Sequence, residues 1–116
     1  MSLNFKRLDY TNGSYADVGR FSIFKSYSTL IGVYDWRHQT MYKDKYFYSS
    51  STSRQFNRWA REKIGIEPTD KNFIKNFIKN NLILCESEKI VELVGLIEKY
   101  GEATNINNDV MKQSKQ

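Results

Sequence analysis

Tyr48-Ser49-Ser50-Ser51-Thr52-Ser53-Arg54-Gln55-Phe56-Asn57-Arg58-Trp59-Ala60-Arg61-Glu62-Lys63-Ile64-Gly65 is the stretch where the chain changes character. A run of hydroxyl side chains gives way to a helical period. Thr52 with Gln55 three residues on fits a capping box, and the pattern predicts a helix over about 53–64 that stops at Gly65. At 100° per residue, Phe56, Trp59, Ala60 and Ile64 share one face. Arg54, Arg58 and Arg61 fall in a narrow stripe on the opposite face. The separation of apolar from cationic side chains is sharper here than anywhere else in the sequence.

N-terminal to this stretch the chain reads as strands and turns. Leu3 to Leu8 alternates apolar and polar residues, and Thr11-Asn12-Gly13-Ser14 reads as a turn in which Asn-Gly supplies positive φ. Phe21 to Lys25 and Ser28 to Trp36 are predicted strands, the second carrying the β-forming run Thr29-Leu30-Ile31-Gly32-Val33-Tyr34. Arg37-His38-Gln39 is a predicted turn, with further strand at 40–42 and 45–48. Nothing in this block has the length of a helical crossover, so the expected sheet is antiparallel. C-terminal to the stretch, a second helix is predicted over about 70–80, with Phe73, Ile74, Phe77 and Ile78 inward. Leu82-Ile83-Leu84-Cys85 is a short apolar link with the composition of a strand. A third helix is predicted over about 88–100, capped by Ser87, with Ile90, Leu93, Val94, Ile97 and Tyr100 inward. Residues 102–116 are poor in apolar side chains and read as a tail. The expected architecture is one compact α+β domain over residues 1–101: an N-terminal antiparallel sheet of three to four strands (3–48), then three helices.

Charge and aromatic residues are unevenly placed. The 116-residue chain has a formal net charge of +5. Residues 1–65 hold eleven Lys/Arg against five Asp/Glu, and residues 66–116 hold seven against eight. All six arginines and fourteen of the seventeen aromatics lie in the first part. The guanidinium fork is bidentate and weakly hydrated, so arginine interleaved with Tyr, Trp and Phe suits a surface that holds anions and stacks on planar partners. The candidate binding set is Arg54, Arg58 and Arg61 on the helix, with Arg37, Lys43, Lys45, Trp36, His38 and Tyr42 from the adjoining strands and turn.

Several chemistries are excluded. There is no Gly-rich phosphate loop of either common type and no nucleophile elbow. A lone Cys85 cannot close an internal disulfide, and with a lone His38 it cannot supply three or four soft metal ligands. Cys85 reads as a small core residue and His38 as an exposed turn residue. No apolar run approaches the ~20 residues of a membrane-spanning helix, and Met1-Ser2-Leu3-Asn4 does not read as a signal peptide. No metal, cofactor or catalytic residue is expected, and a homo-oligomer stays open.

Three resemblances bear on function. Gly32-Val33-Tyr34, then Tyr46-Phe47-Tyr48 and helical Arg58, loosely resembles GIY-YIG nucleases, which couple two such strand motifs to a helix arginine and a metal-binding glutamate. Here the second motif has no glycine, and the glutamate would come from Glu86, Glu88 or Glu92. A three-stranded antiparallel sheet followed by an amphipathic helix resembles, in layout alone, ethylene-response-type DNA-binding domains and integrase arm-binding domains. Finally, Ser26-Tyr27-Ser28-Thr29-Leu30-Ile31 and Tyr48 to Asn57 resemble short phage-encoded proteins of unknown function. That likeness implies a mobile-element accessory protein in a bacterial cytoplasm. The leading expectation is a non-enzymatic accessory protein that binds nucleic acid. The alternative is an anti-defence, anti-CRISPR-like inhibitor that binds a host protein or nucleoprotein complex, so the expected partner is nucleic acid or a host nucleic-acid-binding protein; a magnesium-dependent nuclease ranks third.

Overall fold

Strands of this chain carry apolar residues on both of their faces, so the sheet must be covered on both sides. The computed structural model describes residues 3–8, 11–46, 48–64, 76 and 79–100. One six-stranded sheet contains β1 (Lys6–Arg7), β2 (Gly13–Val18), β3 (Phe21–Ser26), β4 (Thr29–Asp35), β5 (Thr40–Asp44) and β6 (Leu82–Cys85), in chain order across the sheet. Helices α1 (Ser50–Ile64) and α2 (Ser87–Tyr100) lie on opposite faces, and residues 76 and 79–81 are also helical. The second helix expected over 70–80 otherwise lies outside the described residues, as does the tail at 102–116. The molecule is a single α+β domain.

Alternation assigns each strand residue to a layer. Phe21, Ile23, Val33, Tyr42 and Cys85 pack with Ile90, Leu93, Val94 and Ile97 of α2. Phe24, Ile31, Tyr34 and Met41 pack with Phe56, Trp59 and Ala60 of α1. A register shift between Phe24 and Lys25 sets Gly32 opposite Phe24 and Leu30 opposite Lys25, so Ile31 is the extra residue of a bulge. Gly32 then faces α1, where an added Cβ would lie 3.0 Å from the Phe56 ring and 3.0 Å from the Tyr42 carbonyl oxygen. Glycine at that position lets the helix settle against the sheet.

The sheet differs from expectation in three ways. It has six strands instead of three or four, because Gly13–Val18 pairs between β1 and β3 and the C-terminal segment Leu82–Cys85 joins beside β5. It is mixed rather than antiparallel: β1 to β5 form an antiparallel meander, and β6 pairs parallel with β5, Met41 opposite Leu82 through Asp44 opposite Cys85. The segment from 45 to 81, which contains α1, is the crossover such a pairing requires. Third, Gly13 is not a positive-φ turn residue. Among the described residues the left-handed positions are Gly19, Tyr27 and Gln39. Gly13 opens β2 where a Cβ would lie 2.9 Å from Phe24.

Helix ends also moved. Three consecutive serines precede Thr52, and the one that caps α1 is Ser49, whose Oγ accepts the Thr52 N–H at 3.1 Å. Thr52 and Gln55 are therefore not the capping box; both are buried toward the sheet. In α2 the Glu86 carbonyl accepts the first-turn N–H groups of Lys89 and Ile90, and Ser87 is free to bond elsewhere. Tyr100 is exposed rather than inward.

In place of the strand expected over 45–48, residues 45 and 46 form a bend organised by Asp44, with Phe47 outside the described residues. The buried Asp44 carboxylate accepts the Tyr46 N–H at 2.9 Å, the Tyr48 hydroxyl at 2.9 Å and the Ser87 hydroxyl at 2.7 Å. It thus ties the end of β5 to the approach to α1 and to the start of α2. Asp44→Ala removes the acceptor of all three donors and is expected to lower stability by about 3 kcal/mol, read from urea unfolding midpoints.

Candidate functional site

The outward stripe of α1 is cationic, as its period requires. Arg54, Arg58 and Arg61 are all exposed. With Ser51, Gln55 and Asn57 of the same helix and Thr11 and Asn12 of the β1–β2 loop, they line a concave groove of about 490 Å³. Arg58 Nε lies 3.9 Å from Glu62 Oε1, an exposed i,i+4 pair of the kind that contributes only about 0.3–0.5 kcal/mol. Among the described residues neither Arg54 nor Arg61 has a carboxylate partner.

The far wall is built by the loop. Leu8 N–H donates to the Gly13 carbonyl at 2.8 Å, and Thr11 N–H to the Leu8 carbonyl at 3.1 Å. Thr11 Oγ1 donates to the Leu8 carbonyl and accepts the Gly13 N–H at 3.0 Å. Arg7 Nε donates to the Thr11 carbonyl at 3.0 Å, so a fourth guanidinium braces the loop next to the groove. Tyr27, in the β3–β4 turn, stands beside it: its N–H donates to the Asn12 carbonyl at 2.8 Å, and its hydroxyl accepts from Asn12 Nδ2 at 3.3 Å.

A buried hydroxyl chain lies beneath. Ser26 Oγ donates to Gln55 Oε1 at 2.7 Å, so its single proton is committed and Thr52 Oγ1 donates to it at 3.0 Å. Ser49 Oγ donates to Thr52 Oγ1 at 3.1 Å, and Gln55 Nε2 donates to Ser51 Oγ at 3.2 Å. The hydroxyl protons of Ser26, Thr52 and Ser49 each have an acceptor. Residues 26–31 and 48–57 therefore meet in space, and the contact fixes Gln55 at the groove floor.

The remaining candidate residues do not join the groove. Trp36, Arg37 and His38 are exposed in the β4–β5 turn. That turn is held by the buried Asp35, which accepts the Arg37 N–H at 3.0 Å and bonds His38 Nδ1 at 2.9 Å. Lys43 is half-buried with Nζ 5.4 Å from the Phe56 ring centroid, and burial lowers its pKa. Lys45 is exposed and bonds Glu86, which raises its pKa and engages its charge. Tyr42 is a core residue: alternation along β5 turns it toward α2, the face opposite the arginines. Sequence reasoning missed Arg7, Asn12 and Tyr27; the Thr11-Asn12-Gly13 turn was the available signal for the first two.

The nuclease constellation does not assemble. Tyr34 is buried beneath α1, whereas Arg58 points away from the sheet, and Tyr46 and Tyr48 lie in a loop. Among the described residues no three His, Cys, Asp or Glu side chains form a group that could hold a metal ion. Among them, too, no helix is long and apolar enough to cross a membrane. Comparison with family models, curated proteins and solved structures gave no match.

Burial, followed by the nearby Asp35 charge, pushes the Tyr34 and Tyr42 hydroxyls above their ordinary pKa, Tyr42 the further. An unfolded tyrosine ionises near about pH 10 while these stay protonated in the fold, so their contribution is intact below that pH and is lost as pH rises above it. The Tyr42 hydroxyl has no hydrogen-bond partner among the described residues. Tyr42→Phe is expected to stabilise the protein by about 1 kcal/mol at neutral pH and to flatten the alkaline decline, measured as urea midpoints from about pH 7 to pH 11.

Proposed function

We propose that this protein is a non-enzymatic nucleic-acid-binding protein that holds a phosphate backbone against the arginine face of α1. The observation that carries the reading is three guanidiniums exposed together along one helix whose other face is sealed against the sheet. Arg54 and Arg61 stand about 10 Å apart along the helix axis, with Arg58 between them, so successive phosphates can meet successive forks. The polar side chains of Asn12, Ser51 and Asn57 line the same groove and offer donors and acceptors to sugar and base edges.

Electrostatic asymmetry supports the same face. On α2, across the sheet, Glu88, Glu92 and Glu98 are exposed. With Lys89 and Lys99 on the same helix the net charge of α2 is −1, so a polyanion is attracted to the α1 side in preference to the α2 side. Arg37, Lys43, Lys45, Trp36, His38 and Tyr42 drop out of the proposed contact set, and Arg7 enters it.

Three or four neutralised phosphates predict that affinity falls roughly 40- to 150-fold between ~50 and ~200 mM salt, read by fluorescence anisotropy with labelled oligonucleotides. Replacing Arg54, Arg58 and Arg61 together with Ala is expected to abolish binding, with each exposed substitution changing stability by under about 0.5 kcal/mol. Lys99→Ala on α2 is expected to leave affinity unchanged. Failure of the unaltered protein to bind DNA or RNA at low salt contradicts the reading and favours an acidic protein partner for the same face.

A further inference from the structure

We infer that the groove selects single-stranded nucleic acid, with Tyr27 as the platform on which an unpaired base stacks; the inference rests on the nucleic-acid reading above and specifies its ligand. Tyr27 is a large aromatic left 61% exposed at the edge of the arginine groove. It is one of two non-glycine described residues at positive φ, here 55°. That left-handed conformation is one that glycine or asparagine adopts readily and a bulky side chain does not. The turn has only two residues between paired Ser26 and Thr29, so a tyrosine here strains the backbone without filling any part of the core.

The ring is aimed rather than loose. Its hydroxyl is held by Asn12 Nδ2 and its N–H by the Asn12 carbonyl, and Asn12 itself lines the groove. The preceding residue, Ser26, is locked to Thr52 and Gln55 under the groove floor. An aromatic platform fixed beside a line of guanidiniums is the arrangement that binds unpaired strands, because every base has a π face while phosphates track the cations. The size of the groove agrees: about 490 Å³ admits a nucleotide-sized group, whereas a duplex presents a convex backbone with its bases stacked inside. A Tyr27 ring has nothing to stack on there.

The test compares a labelled single strand of about 12 nucleotides with its blunt duplex, each titrated with the unaltered protein, Tyr27→Gly and Tyr27→Phe. The unaltered protein is expected to bind the single strand at least about 10-fold more tightly than the duplex. Tyr27→Gly is expected to weaken single-strand binding about 5- to 150-fold, to leave duplex binding unchanged, and to raise Tm by relieving the strained turn. Tyr27→Phe, which keeps the ring, is expected to bind the single strand within about twofold of the unaltered protein. Equal affinity for strand and duplex, or a Tyr27→Gly variant with undiminished single-strand affinity, overturns the inference while leaving the nucleic-acid reading intact. A Tyr27→Gly variant that loses both ligands together with a fall in Tm shows Tyr27 to be structural and also overturns it. No binding of either ligand by the unaltered protein overturns both.

Discussion

The rotational setting of α1 rests on Trp59. Its ring is fully buried, stacked on Phe24 at 5.3 Å between centroids and tilted against Phe56 at 5.5 Å, and its indole N–H donates to the buried Ser22 hydroxyl at 3.0 Å. Two turns and one turn earlier, Thr52 and Gln55 are fixed to Ser26 on the same strand. Two polar anchors on one edge of β3, spaced as the helix period demands, leave α1 a single azimuth. A slip of one residue would turn the helix by about 100° and carry arginines toward the sheet, where an unpaired guanidinium is strongly unfavourable. At the other end Lys63 meets Asp17 at 3.0 Å over the Tyr15 ring, so the helix is held along its length.

What the sequence made readable follows from where periodicity was unambiguous. Phe56, Trp59 and Ala60 against Arg54, Arg58 and Arg61 admit one helix phase, and so do Ile90, Leu93, Val94 and Ile97. The β-rich runs at 21–25 and 29–34 stand out by composition. Gly13–Val18 does not, since a glycine, a serine, an alanine and an aspartate dilute the strand pattern although Ala16 is core. The parallel seat of β6 depends on a crossover whose path no local pattern encodes. Three adjacent serines offered equivalent caps, and only the packing of Thr52 and Gln55 against Ser26 chooses Ser49.

The binding residues divide along the same line. The arginine stripe was legible because one helix carries it. Its opposing wall comes from Thr11 and Asn12, some forty positions away in sequence, and only strand pairing brings it near. Tyr42 misled for a physical reason: in a sheet covered on one face, alternation separates inside from outside, but α1 and α2 cover both faces here, so alternate residues of β5 are all buried or nearly so. Lys45 looked available until Glu86, placed beside it by the β5–β6 pairing, took up its charge. Tyr27 at positive φ contradicts residue preference, and such conflicts between local preference and observed structure concentrate at working surfaces.

The central claim is that the cationic face of α1, and no other basic surface, meets the ligand. Side-chain Nε–Hε signals of the six arginines, followed by NMR during titration with a short oligonucleotide, test it most directly. The account predicts shifts at Arg54, Arg58 and Arg61 and at the adjoining Arg7, with backbone amides of Thr11 and Asn12 moving in step and Arg20 and Arg37 still. Perturbations gathered at the Arg20 and Arg37 end of the sheet, with the α1 arginines unmoved, would contradict it.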